Sequence, residues 1–125
     1  MSDQSSPASP AAALPPDRLT SVLSTIRAQA RRTNLTRTAD LGAALDGAAD
    51  GGLDVGGWAD AQRTAHQLAG SAGTFGFDGV SEIARSLERF FADAAATVRP
   101  DPVRLAEARA QLDRASSQLA DGIEL

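Results

Sequence analysis

The sequence predicts an all-α protein: an up-down antiparallel bundle of four helices, the first of them long. Three observations carry that expectation. Apolar residues recur at spacings of three and four in four successive segments, as the single buried face of a helix requires. Glycine and proline punctuate the chain between segments, and strand signals are missing there. Alanine is abundant and aromatic residues make up only 4% of the chain, a composition that suits close helix packing across short connections.

At 125 residues the chain is one domain by length, and a unit of that size buries roughly two thirds of its unfolded surface. Residues 1–16, MSDQSSPASPAAALPP, are mostly Ser, Pro and Ala and lack material for a core. They are expected to form a disordered tail, with the folded domain spanning residues 17–125.

The first helix is expected to begin near Asp17, a candidate N-cap, with Pro15 and Pro16 just outside. Leu19, Val22, Leu23, Ile26 and Ala30 follow at helical spacing. The pattern resumes in Leu35, Leu41, Ala44, Leu45 and Ala48 across Thr33, Asn34 and Thr36. One long helix, with a kink admissible near Asn34, is favoured over two helices jointed there. Gly51, Gly52, Gly56 and Gly57 then mark a loop.

The second helix is expected over Trp58 to Gly73, with Trp58, Ala61, Ala65, Leu68 and Ala72 on one side. The third begins at Asp78 or Gly79 and turns Val80, Ile83, Leu87, Phe90, Phe91 and Ala94 inward. Asp101 caps the fourth, and Pro102 occupies its first turn, where a missing N–H costs nothing. Leu105, Ala108, Leu112, Ala115 and Leu119 form its apolar stripe, and Gly122 is its expected stop.

Composition excludes several kinds of chemistry. With no cysteine there are no disulfides or thiolate ligands, and a single histidine cannot build a histidine-rich metal site. No calcium-loop spacing is present. Every basic residue is arginine, so the GK[ST] ending of a Walker phosphate loop is missing. The net charge of −4 argues against a nucleic-acid partner, and Arg27, Arg31, Arg32 and Arg37 read as a solvated helix face. No run approaches the roughly 20 apolar residues that span a bilayer, and the tail has no signal-peptide pattern. A soluble cytoplasmic protein with no membrane partner is the expectation.

The segment HQLAGSAGTFGFDG, His66 to Gly79, holds the one histidine and a glycine at every third position. At about 100° per residue, His66 falls about 120° from the centre of the apolar sector of the second helix, so it should face solvent. Ala59, Gln62, Arg63, Gly70 and Gly73 share its flank, which leaves that surface bare apart from Gln62 and Arg63. A lone histidine most often has no special task, and glycine inside a helix costs about 1 kcal/mol relative to alanine. Gly73 is accounted for equally well by structure, as a close helix crossing or the end of the helix, and by access to the imidazole. Gly70 points away from the apolar face one turn after His66, so access of something large to the imidazole explains it better. Gly76 and Gly79 are assigned to the turn before the next helix. An exposed imidazole with an unprotonated nitrogen is a nucleophile, and no triad partner for it is evident. AGSAG, Ala69 to Gly73, lacks the first glycine and the strand-turn-helix context of a hydrolase elbow, which argues against catalysis by Ser71.

AHQLAGSAGTFGFDGVSEIARSLE, Ala65 to Glu88, resembles the signature of histidine phosphotransfer (HPt) domains. That signature reads approximately H-x-L-[KA]-G-S-[SA]-x-x-[LF]-G before a helix with a leucine-glutamate pair. His66, Leu68, Gly70, Ser71, Gly76, Leu87 and Glu88 fall in register over about 24 residues. The resemblance implies a four-helix bundle in which His66 accepts a phosphoryl group on its outer ring nitrogen. The donor would be an aspartyl phosphate of a response-regulator receiver domain, and the acceptor another receiver aspartate, within a two-component phosphorelay. Receiver domains, alone or within a hybrid sensor kinase, are the expected partners, with phosphate or receiver contacts at Gln62, Arg63, Gln67, Ala69, Gly70 and Gly73.

Many HPt domains carry lysine where this chain has Ala69, so phosphate stabilisation is expected to come from the magnesium and lysine of the receiver. Arg63 is a further candidate donor. The chain itself needs no cofactor, because phosphoryl transfer depends mostly on positioning and on charge that the receiver supplies. No ATP-binding segment is evident, so autophosphorylation from ATP is not expected, and one self-complete bundle favours a monomer. Two other readings compete. A sensor-kinase dimerisation helix would show H-E-[LF]-[KR]-[TN]-P, whereas Gln67, Leu68, Ala69, Gly70 and Ser71 follow His66. A docking adaptor would bind a receiver without accepting phosphate.

Overall fold

The computed structural model describes residues 15–95 and 100–121. Of the tail expected over residues 1–16, only Pro15 and Pro16 are among the described residues, and the stop expected at Gly122 lies outside them. Among those described, four helices follow one another without a strand: α1 (Pro16–Ala49), α2 (Val55–Thr74), α3 (Asp78–Ala94) and α4 (Pro102–Asp121).

Proline opens the first helix rather than standing outside it. Pro16 is the first helical residue and Pro15, in extended conformation, takes the cap position, so Asp17 lies in the first turn and is not the cap. Its carboxylate still meets the positive end of the helix dipole there. From Pro16 the helix runs for 34 residues straight through Asn34. It ends where Gly51 turns left-handed at φ 72°, with Gly51 N–H donating to Ala48 O and Gly52 N–H to Gly47 O. That pair of bonds satisfies the last carbonyls and needs glycine at the turning position.

Helix α2 starts earlier than its glycines suggest. Gly56 and Gly57, expected in a loop, lie in its first turn, because the Asp54 carboxylate accepts from Gly57 N–H at 2.7 Å. One cap bond of this kind stabilises a helix start by about 1 kcal/mol, enough to offset a glycine. The helix ends at Thr74, and Gly76 at φ 86° reverses the chain. Phe77 N–H then donates to Ala72 O at 2.8 Å while its ring is buried. Gly79 belongs to α3 rather than to the turn, and a β-carbon on it would come within 2.8 Å of Gln118 Oε1. At the start of α4, Asp101 caps as expected, accepting from Val103 N–H at 3.0 Å.

The helices close a ring: α1 packs on α2 and α4, and α3 packs on α2 and α4. Cross-helix contacts fix their directions. Gly73 near the end of α2 meets Ser81 near the start of α3, and Gly79 near the start of α3 meets Gln118 near the end of α4. Along the other seam Arg31 reaches Leu119 O, whereas Arg109 pairs with Asp46 further along α1. Each pair runs antiparallel, as an up-down bundle requires.

The core is built from Leu41, Leu45, Leu68, Val80, Leu87, Phe91 and Leu119, all buried, with Phe91 packed on Trp58 and Phe90. The expected inward stripes of α2, α3 and α4 are buried, except that Ile83 and Leu105 are only half-buried against the core. In α1 the two halves differ. Leu41, Leu45 and Ala48 are buried, but Leu19, Val22, Leu23 and Ile26 are each between 40% and 45% exposed. A helix of 34 residues is roughly 51 Å long, and the 20 residues of α2 reach roughly 30 Å. The first part of α1 therefore projects past the end of the bundle, and residues 16–27 are exposed throughout.

Candidate functional site

The only histidine sits midway along α2 with its side chain 73% exposed, on the outer side of the seam where α2 meets α3. Leu68, Ala69 and Ala72 of the same helix are buried, so the α2 backbone at this point is fixed by the core while the imidazole remains in solvent. A rigid base under an exposed nucleophile holds its direction of attack.

Two polar contacts set the register of α2 against its neighbours. The Ser81 hydroxyl, buried at the crossing, donates to Ala69 O at 2.8 Å, and a β-carbon on Gly73 would approach Ser81 Oγ to 3.3 Å. Gly73 thus permits a close helix crossing, and it also lines the cleft along this seam. On the α1 side, fully buried Asn34 donates from Nδ2 to Ser71 Oγ at 3.1 Å and accepts from Arg37 Nη1 at 2.8 Å. Ser71 is a tie between helices, which explains a serine at that place in the segment without any nucleophilic role.

That register brings Glu88 of α3 to the histidine. His66 Nδ1 lies 3.1 Å from Glu88 Oε2 and 3.3 Å from Oε1. An ionised carboxylate can only accept, so Nδ1 carries the proton and donates it. In the neutral imidazole with its proton on Nδ1, the other ring nitrogen, Nε2, keeps its lone pair. The expectation that the imidazole lacks an orienting partner is therefore corrected: Glu88, half-buried and held by its own helix, occupies that role.

The remaining expected residues divide by position. Ala69 and Gly70 line the cleft of about 450 Å³ that contains His66. A β-carbon on Gly70 would meet nothing within 4 Å, so no group of the bundle explains its absence. Gly70 and Gly73 continue into a second cleft along the same seam with Thr74, Gly79 and Arg85. Gln62 is half-buried and Gln67 is exposed on α2, and neither lines these two clefts. Arg63 points away from the site, because side chains on a helix lean toward its N-terminus. It pairs instead with Asp60 at 2.8 Å. Arg85 and Arg89 of α3 line the cleft beside His66. They were not legible around the histidine, because they lie on another helix and approach only through the Gly73–Ser81 crossing.

Among the described residues no group of three or more His, Cys, Asp and Glu side chains is placed to hold a metal, and no helix is long and apolar enough to cross a membrane. The chain matches the family model of the Hpt domain over residues 17–120. No curated protein and no solved structure matches it significantly. With the family model covering all four helices and the segment around His66, the chain belongs to the Hpt domain family and takes part in histidine phosphotransfer in two-component signalling.

Proposed function

We propose that His66 is the phospho-acceptor of a phosphorelay, taking a phosphoryl group from the aspartyl phosphate of one receiver domain and passing it to the aspartate of another. The observation that carries this reading is the Nδ1 contact with Glu88, which leaves Nε2 as an exposed nucleophile on a fixed helix. In the forward step the Nε2 lone pair attacks phosphorus in line with the acyl oxygen. The N–P bond forms, the P–O bond to the aspartate breaks, and the carboxylate leaves with the bonding pair. The Nδ1 proton stays in place, so the ring becomes a phospho-imidazolium whose positive charge faces Glu88. A carboxylate held against a developing imidazolium stabilises it, as in hydrolase triads. Onward transfer reverses these bonds, with the second receiver's aspartate as nucleophile.

The chain supplies position and one charge, and the magnesium and lysine that steady the transferring group belong to the receiver in this reading. Gly70 supports it, since the surface one turn from His66 is open to a partner's approach. In this reading Gln62, Arg63 and Gln67 contribute to the receiver contact surface from its rim, where Arg63 pairs with Asp60 on an exposed face. In this reading the chain is a cytoplasmic, monomeric shuttle.

The test is incubation with a panel of phosphorylated receiver domains. Label is expected on the wild-type chain and not on His66→Gln, and Glu88→Gln is expected to slow its appearance on the order of tenfold, through loss of the charge facing the imidazolium. Stable receiver binding with no label on the wild type would establish a docking adaptor and overturn the proposal.

A further inference from the structure

A phosphoryl group on His66 brings about two negative charges at neutral pH into a cleft that already contains Glu88. Something must balance them while the receiver is away. The residue directly beneath the site is Ala69, which has no charge, and Arg63 is engaged by Asp60. The cleft is nevertheless lined by two arginines, Arg85 and Arg89, on the α3 side.

Their placement has three features that point to an anion. First, they stand one turn apart on the same helix, with Glu88 adjacent, so both flank the carboxylate that holds His66 Nδ1. Second, although both line a cleft that also contains a carboxylate, neither makes an ion pair or hydrogen bond among the described residues. Glu88, the nearest carboxylate in the cleft, is committed to the histidine instead. Third, like charges one turn apart on a helix repel, an unfavourable arrangement that a dianion lying between them would relieve.

We propose that Arg85 and Arg89 form an anion seat on α3 that holds the phosphoryl group once it is bonded to His66 Nε2. The inference rests on the phosphotransfer reading of His66 and adds the residues that keep the phosphorylated state in the absence of a partner. Guanidinium groups suit this task because their planar forks donate two N–H groups to phosphate oxygens and never lose their charge. The seat compensates on α3 for the cation missing at Ala69 on α2.

The test separates this seat from the relay. Phosphoramidate, a small donor, transfers its phosphoryl group to the exposed histidine with loss of ammonia: the N–P bond to Nε2 forms as the donor's own P–N bond breaks. The phosphorylated wild type and Arg85→Ala/Arg89→Ala are then titrated by phosphorus NMR, with circular dichroism confirming the fold of each. The seat predicts that the phosphoryl group ionises at lower pH in the wild type, by at least about half a unit, because two cations favour its dianion. Arg85→Lys/Arg89→Lys should recover part of that difference. With a phosphorylated receiver as donor, the double alanine variant should shift the transfer equilibrium about three- to tenfold toward the receiver. Identical titrations in wild type and double variant would overturn the seat, as would failure of phosphoramidate to label His66. Labelling by phosphoramidate but by no receiver would sink the relay reading, and the phosphorus titration would still decide the seat.

Discussion

A methyl group at Gly70 separates the two reasons a helix can contain glycine. If glycine were needed for packing, alanine would clash within the bundle, but a β-carbon there meets nothing within 4 Å. Gly70→Ala should therefore raise stability by about 0.5–1 kcal/mol in denaturant unfolding, the usual gain for alanine over glycine in a helix. The same variant should lose transfer from a receiver by on the order of tenfold, since the methyl stands one turn from His66 in the path of approach. Stabilisation with undiminished transfer would show that Gly70 does not clear that path. At this scale the sequence was informative where one helix sufficed. The exposure of His66 and the openness at Gly70 follow from a single helical wheel. Glu88 could be aligned with a signature, but its bond to Nδ1 depends on how two helices slide against each other, and the wheel of α2 contains nothing about α3. The same reason hid Arg85 and Arg89 and made Arg63, nearer in sequence, look better placed than it is.

Helix α1 shows that a helical period and a buried face are different properties. Leu19, Val22, Leu23 and Ile26 have the spacing of an inward stripe, yet they lie beyond the end of the bundle, where no other described helix reaches them. Periodicity encodes which residues share a face, and only the lengths of the partner helices decide whether that face is covered. Leu23→Gln and Ile26→Gln should accordingly change unfolding stability of the isolated chain by less than about 0.5 kcal/mol, the range of surface substitutions. A loss of about 2 kcal/mol or more, typical of a buried leucine, would place this stripe in a core. The start of α2 went the other way. Gly56 and Gly57 read as loop residues because glycine is a poor helix former, whereas Asp54 at the cap and the buried stripe that begins at Trp58 together outweigh that cost. The start of α4 and the ends of α1 and α2 were legible because their signals are local: Asp101 with Pro102 at a start, and a glycine shortly past the end.

The whole molecule divides its labour between scaffold and surface. Three stripes on α2, α3 and α4 and the second half of α1 enclose one core, which fixes the α2–α3 seam from beneath. The Ser81–Ala69 tie sets the register of that seam while Asn34–Ser71 ties α2 to α1, and this register brings a carboxylate to the histidine. The bundle's architecture could be inferred from the sequence because it depends on period and on loop length. Its chemistry could be inferred only in outline, because the functional partners come from two helices. Scaffold and surface together serve one arrangement, in which Glu88 holds the Nδ1 proton and Nε2 receives the phosphoryl group. Nitrogen and phosphorus NMR of uniformly ¹⁵N-labelled protein, before and after reaction with a phosphorylated receiver, tests it most directly. The expected result is a protonated Nδ1 in the free chain and a phosphorus–nitrogen coupling to His66 Nε2 afterwards. A free chain protonated on Nε2, a coupling to Nδ1, or phosphorus that never leaves the receiver would contradict it.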